Sequence, residues 1–133
     1  MSTADVVAVF NTSEDTTDML RIVLEQAGFV VFSAFTNKLR DGVTDLAHLM
    51  RQHRPKVIVY DIAIPYDANW RLFEHIRDSP ACQSVRFVVT TTNVAQVRNV
   101  AGTMEPMIEI VGKPYDLDAL VRAVHDAIKA GPR

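Results

Sequence analysis

The sequence has little of several features that would mark particular classes of protein. It contains one cysteine, Cys82, so no disulfide can form within the chain. No apolar run is long enough for a signal peptide or a membrane span, and we therefore expect a cytoplasmic protein without membrane association. It also lacks a run of lysine and arginine, and its formal net charge is −2. Because nucleic-acid binding normally needs a basic surface, direct binding to nucleic acid is not expected.

The size and the apolar content indicate one folded unit. The chain has 133 residues, of which 48% are hydrophobic, and it can therefore bury a core without metals or disulfides. We see no internal repeat, low-complexity tract or linker. The expectation is a single domain over residues 1–133. Because this sequence has no output domain after the last predicted helix, we expect a domain that either works alone or is one part of a longer protein.

Strand and helix signals alternate along the whole chain. Strands are predicted at residues 6–10, 29–34, 57–61, 86–92 and 107–112. A helix signal follows each strand. The first helix is predicted from a capping box of Thr12 and Asp15, with Gly28 as the stop, and the second from an apolar stripe from Val43 to Met50 that follows a polar loop at 35–42. Trp70, Phe73 and Ile76 mark the third helix, residues 94–101 form the fourth, and Asp116 caps the fifth. Five strand–helix units predict an α/β fold, a doubly wound parallel sheet with helices on both faces.

Polar residues stand where four of these strands end. Asp61 closes a strand that is otherwise apolar, and a charge is tolerated there only at the carboxyl end, where open α/β sheets bind ligands. The other strand ends carry Asn11-Thr12, the three threonines at 90–92, and Lys113-Pro114. Because carboxyl ends of parallel strands share one edge, we expect these residues to converge.

These residues resemble the receiver domains of two-component response regulators, the CheY-like family. Asp61 with Pro65 matches the D-x-x-x-P context of the family's phosphoacceptor, Thr91 lies 30 residues after it, and Lys113 lies 52 after it. The segment KPYDLDAL from Lys113 matches the family's K-P-[FY] motif. The resemblance covers nearly the whole chain and implies a flavodoxin-like sheet of strand order 2-1-3-4-5. It also implies that the Lys113-Pro114 peptide bond is cis.

The resemblance implies phosphorelay signalling. Asp61 would accept a phosphoryl group as an acyl phosphate, with the charge of Lys113 and the hydroxyl of Thr91 stabilising it. The protein would not be an enzyme beyond self-catalysed transfer to and from Asp61. Expected partners are a sensor histidine kinase or phosphotransfer protein, and a downstream protein that binds the face of the fourth helix, fifth strand and fifth helix. A homodimer is also compatible with this family.

The sequence departs from the family at the metal site. The family has two adjacent acids at the end of the first strand, where this chain has Asn11 and Thr12. Mg²⁺ prefers carboxylate ligands, so only weak or conditional binding is expected, through Asp61, Asn11 and the backbone carbonyl of Ala63. Two other acids, Asp15 and Asp67, are further candidate ligands that would act through water.

Two alternative functions remain open from the sequence. The first is a pseudo-receiver, which has the same fold but docks to partners independently of phosphorylation, and the residues Asn11 and Thr12 favour it. The second is a flavodoxin-like nucleotide binder, suggested by the hydroxyl-rich segment NTSEDTT after the first strand. That segment lacks glycine, and Glu14 and Asp15 would repel a phosphate. Retention of Asp61, Thr91 and Lys113 favours the phosphorylated receiver over both.

Overall fold

A computed structural model describes residues 4–101 and 116–133, together with the backbone of residues 108–112. Its five strands are β1 Val6–Asn11, β2 Val30–Phe35, β3 Val57–Asp61, β4 Arg86–Thr91 and β5 Ile108–Gly112. Its helices are α1 Glu14–Gln26, α2 Thr36–Arg40, α3 Leu46–His53, α4 Tyr66–Arg77, α5 Val94–Ala101 and α6 Leu117–Ala130, with a 3-10 turn at Pro80–Cys82.

The strands form one parallel sheet of order β2-β1-β3-β4-β5, which confirms the predicted fold class and strand order. Strands β1, β3 and β4 are buried along almost their whole length because helices cover both faces of the sheet. Alternate strand residues therefore enter two separate cores. Val7, Val9, Val57, Val59 and Val88 pack with α1 and α6, whereas Phe10, Tyr60, Phe87 and Val89 pack with α3, α4 and α5.

Two details of the first helical regions differ from the sequence prediction. The N-cap of α1 is Ser13 rather than Thr12, because β1 extends to Asn11 and the Ser13 hydroxyl accepts the Thr16 N–H at 3.2 Å. The predicted polar loop at 35–42 contains the short helix α2, which buries Thr36.

The second predicted helix begins later than expected. Asp45 caps α3 by accepting the His48 N–H, so Val43 precedes the helix and is 74% exposed rather than part of an apolar stripe. Cys82 lies in the 3-10 turn and is fully buried, and its burial raises the pKa of the thiol. Because the thiol is buried and its pKa is raised, Cys82 is expected to be unreactive.

No helix within the part of the chain that the structure describes is long and apolar enough to cross a bilayer. The predictions for Lys113 and Pro114, including the cis bond between them, lie outside the described residues.

Candidate functional site

Asp61 is the last residue of β3 and lies at the carboxyl edge of the sheet, as predicted. Its side chain is only 8% exposed, in line with the buried residues that precede it in the strand. The alternation along β3 directs it to the face of the sheet that carries α1 and α6, the side of Val57 and Val59. Asp61 is therefore largely buried at the end of a core and does not lie on an exposed surface.

A threonine that the sequence prediction did not select contacts Asp61. In the register of β3 and β4, Asp61 lies beside Thr90, and the Thr90 hydroxyl donates to Asp61 Oδ1 at 2.9 Å in a buried hydrogen bond. Thr91 is also buried, but it follows the alternation of Val89 toward the opposite face, where its Oγ1 accepts the Asn93 N–H at 3.2 Å. The predicted role of Thr91 remains a prediction, based on spacing alone.

Asn11 ends β1 beside Asp61, because Phe10 pairs with Tyr60 and the next residues of the two strands are neighbours. Its side chain is 1% exposed. Its Oδ1 accepts two backbone N–H groups, from Thr12 at 2.7 Å and Ser13 at 3.0 Å. These two donors determine which end of the amide is oxygen, and they leave Nδ2 as a buried N–H donor with no partner among the described residues.

The other predicted metal ligands suit Mg²⁺ poorly as well. The carbonyl oxygen of Ala63 accepts a hydrogen bond from Asn69 Nδ2 at 2.7 Å. Thr12, Asp15 and Asp67 are exposed. No group of three or more His, Cys, Asp or Glu side chains within the described ranges is placed to hold a metal. Because Mg²⁺ needs several free oxygens at near-octahedral positions, this set of residues does not fit the ion.

One further side-chain hydrogen bond lies at the carboxyl edge of the sheet. The Tyr66 hydroxyl at the start of α4 and the Thr92 hydroxyl after β4 lie 3.1 Å apart and share a hydrogen bond. This contact joins α4 to the loop before α5. Thr90 and Thr92 were expected at this strand end without an assigned role, whereas Tyr66 and Asn69 were not singled out from the sequence. The three threonines at 90–92, at the end of the predicted strand 86–92, were the sequence signal that pointed to this region.

The structure resembles those of response-regulator receiver domains. A response regulator receiver protein from Pseudomonas putida superposes with a TM-score of 0.72 at 18% identity, covering 95% of this chain and 99% of that chain. A response regulator from Thermotoga maritima gives a TM-score of 0.69 at 20% identity, covering 96% and 99%. The chemotaxis protein CheY4 from Vibrio cholerae gives 0.70 at 16% identity, covering 94% and 99%. The chain therefore has the CheY-like receiver fold.

The sequence comparisons are less informative about function. A protein of Leptolyngbya boryana that is named as an uncharacterized 14.6 kDa protein in the sodA1 3' region is 25% identical over 126 residues, which is 95% of this chain and 92% of that protein. No protein-family model matches the chain.

Proposed function

We propose that this protein is a receiver-fold signalling module that acts by docking to other proteins and does not depend on Mg²⁺-assisted phosphorylation. The fold is one that structural relatives named as response regulators share. Such domains are signalling modules rather than enzymes, and no catalytic activity on another substrate is proposed. The docking surface remains the predicted one, the face of α5, β5 and α6.

The observation that carries this proposal is the Asn11 amide. Its oxygen already accepts the N–H groups of Thr12 and Ser13, so the group it can offer beside Asp61 is an N–H donor. An N–H donor cannot ligate a cation. Phosphoryl transfer to a carboxylate needs charge neutralisation around the transferred oxygens, which a metal ion commonly supplies. A site with so few oxygen ligands for the ion favours docking over phosphotransfer.

The phosphorylated receiver is the second candidate, and Asp61 itself favours it. The carboxylate stands at the carboxyl end of a central strand, where α/β sheets bind their ligands, and it keeps a small exposed fraction. The Thr90 hydroxyl that donates to it could also donate to a phosphoryl oxygen. In this reading, a sensor histidine kinase or phosphotransfer protein would be the partner.

A phosphorylation experiment with two matched variants separates the candidates. Wild type, Asp61→Asn and the double variant Asn11→Asp with Thr12→Asp are incubated with acetyl phosphate and Mg²⁺, and intact mass is measured. We expect no phosphoryl gain in wild type or Asp61→Asn. We expect one phosphoryl group in the double variant, because two added carboxylates recreate charged oxygen ligands beside Asp61.

The same measurement can overturn the proposal. One phosphoryl group on wild type that Asp61→Asn abolishes would establish the phosphorylated receiver instead. Titration of the proteins with Mg²⁺ in isothermal calorimetry provides a second readout that does not depend on the phosphodonor. Equal Mg²⁺ affinity of wild type and the double variant would mean that residues other than the pair supply the metal site.

A further inference from the structure

A groove lies at the opposite edge of the sheet from Asp61. It is bounded by the end of α3, the segments before β3 and β4, the 3-10 turn and the end of α6, and its volume is about 810 Å³. The segments Pro55-Lys56 and Ser84-Val85 precede the amino ends of their strands, so the groove lies about 15 to 20 Å along β3 from Asp61. It is therefore a separate surface from the candidate site.

The floor of the groove is apolar. Met50, Pro55 and Val85 are buried beneath it, and Ala47, Ala81 and Ile128 form partly exposed walls. Most of these side chains are small or branched, and they leave room for apolar side chains of a ligand. None of the buried polar residues in the described part of the chain lines the groove; these residues are Asn11, Thr17, Thr36, Asp61, Thr90 and Thr91. The groove thus lacks the convergent buried polar groups that orient a small molecule.

The rim of the groove is positively charged. Its charged residues are Arg51, Arg54 and Lys56, and no acidic residue lines it. Lys56 pairs with Asp5 at 2.7 Å, which neutralises it. Arg51 and Arg54 are exposed, and neither takes part in an ion pair within the described part of the chain. Two uncompensated guanidinium groups therefore stand beside an apolar floor.

Arg54 has a backbone conformation that is unfavourable for a residue with a side chain. It caps the end of α3 in the left-handed region, with φ 47° and ψ 57°, and its N–H bonds the Met50 carbonyl at 2.9 Å. Glycine is preferred at such a cap because it has no Cβ. An arginine is thus held at the rim despite its backbone conformation.

We propose that this groove binds an acidic peptide segment of a partner protein that inserts apolar side chains onto its floor. Charge complementarity with Arg51 and Arg54 selects acidic residues, and the floor selects apolar ones. Arginine is suited to this role because its planar guanidinium group binds carboxylates with two hydrogen bonds. The proposal does not rest on the chemistry of Asp61 and stands whether or not that residue is phosphorylated.

The test is a selection of random 12-residue peptides, displayed on phage, against the full chain. Enriched peptides are resynthesised with fluorescein, and their affinity is measured by fluorescence anisotropy. We expect them to combine Asp or Glu with apolar residues. Arg51→Glu with Arg54→Glu should weaken their binding by about tenfold or more, the effect of losing two exposed charge contacts. Lys38→Glu with Arg71→Glu makes the same charge change at exposed positions outside the groove and should leave affinity unchanged.

A second double variant distinguishes a loss of peptide binding from a loss of folding. Arg51→Ala with Arg54→Gly removes both charges while placing glycine in the left-handed cap, so it should unfold at a higher temperature than wild type yet bind the peptides more weakly. Enrichment of no peptide family, or of basic or uncharged peptides, would overturn the proposal. So would equal binding of a poly-glutamate peptide, or equal weakening by the control pair.

Discussion

At the scale of single residues, hydrogen bonds from within the protein occupy the oxygen atoms of the site. Asn11 Oδ1, Ala63 O and Asp61 Oδ1 each accept a hydrogen bond from within the protein. Their partners are backbone N–H groups, an amide and a hydroxyl, respectively. A chain that uses its site oxygens in this way has fewer of them for a metal ion, and the residues act as a structural network.

Removing the Thr90 hydroxyl tests this network. Thr90→Val keeps the side-chain shape but leaves a buried Asp61 oxygen without that donor, so we expect a loss of about 1–3 kcal/mol in unfolding free energy. Thr91→Val is the matched control on the adjacent residue. It removes only an acceptor for the Asn93 N–H and should cost about 1 kcal/mol or less.

Urea denaturation of Thr90→Val, Thr91→Val, Asp61→Asn and the two double variants that combine each threonine change with Asp61→Asn measures the coupling directly. A non-zero interaction energy for Thr90 and Asp61, with none for Thr91 and Asp61, is the expected result. Equal costs for the two threonine variants would contradict the assignment of Thr90 as the partner of Asp61.

At the scale of secondary-structure elements, helix starts are set by side-chain caps. The helices α1, α3 and α6 begin after Ser13, Asp45 and Asp116, and each cap side chain accepts a backbone N–H of the first turn. These bonds satisfy N–H groups that the helix itself leaves without partners. Because β1 runs one residue further than predicted, the first cap shifts from Thr12 to Ser13.

Two alanine variants distinguish these caps. Ser13→Ala should lower the free energy of unfolding by about 1 kcal/mol, because it leaves the Thr16 N–H without its acceptor. Thr12→Ala should change it by less than about 0.5 kcal/mol, because the Thr12 side chain is exposed and takes no part in the hydrogen bond from the Thr12 backbone N–H to Asn11 Oδ1. Chemical denaturation of both variants is the measurement, and a larger cost at Thr12 would restore the cap predicted from the sequence.

At the scale of the whole molecule, the sheet separates two cores, and one of them contains an unsatisfied group. Tyr60 is 1% exposed among Phe10, Phe73 and other aromatic residues, and its hydroxyl has no partner among the described residues. Burial raises the pKa of this hydroxyl well above its usual range, and the negative charge of Asp61 raises the pKa further. The hydroxyl is therefore a cost to the folded state that grows at alkaline pH.

The pH dependence of stability follows from this direction. Because the folded-state pKa of Tyr60 is raised, ionisation of this tyrosine costs the wild type no stability below the unfolded pKa of about 10, and stability is lost as pH rises from there toward the folded value. Tyr60→Phe should gain about 1 kcal/mol at neutral pH, because it removes an unpaired buried hydroxyl. Its advantage over wild type should widen at about pH 10.5, since the variant has no phenol to ionise at that position.

Urea denaturation of the two proteins at both pH values measures the effect. The burial of Cys82 adds a similar alkaline loss, which begins at a lower pH and is shared by both proteins, so it cancels in the comparison. A Tyr60→Phe advantage that stays constant from neutral to alkaline pH would contradict the raised pKa.

The sequence patterns by themselves determined the α/β fold class and the strand end at which Asp61 lies. Apolar runs of β-branched residues specify strands such as β3, and one carboxylate at the end of such a run can lie only at the carboxyl edge of the sheet. These are local signals, carried by periodicity and by the cost of burying a charge. They do not depend on which strand lies next to which.

Only the tertiary structure decided how the site and the groove are built. Spacing could not choose Thr90 over Thr91, because the choice depends on the register of β3 against β4 and on which face each side chain occupies. The orientation of the Asn11 amide depends on the path of the chain into α1. The basic groove joins residues from α3, α6 and two strand entrances that are far apart in sequence, and their meeting is a property of packing alone.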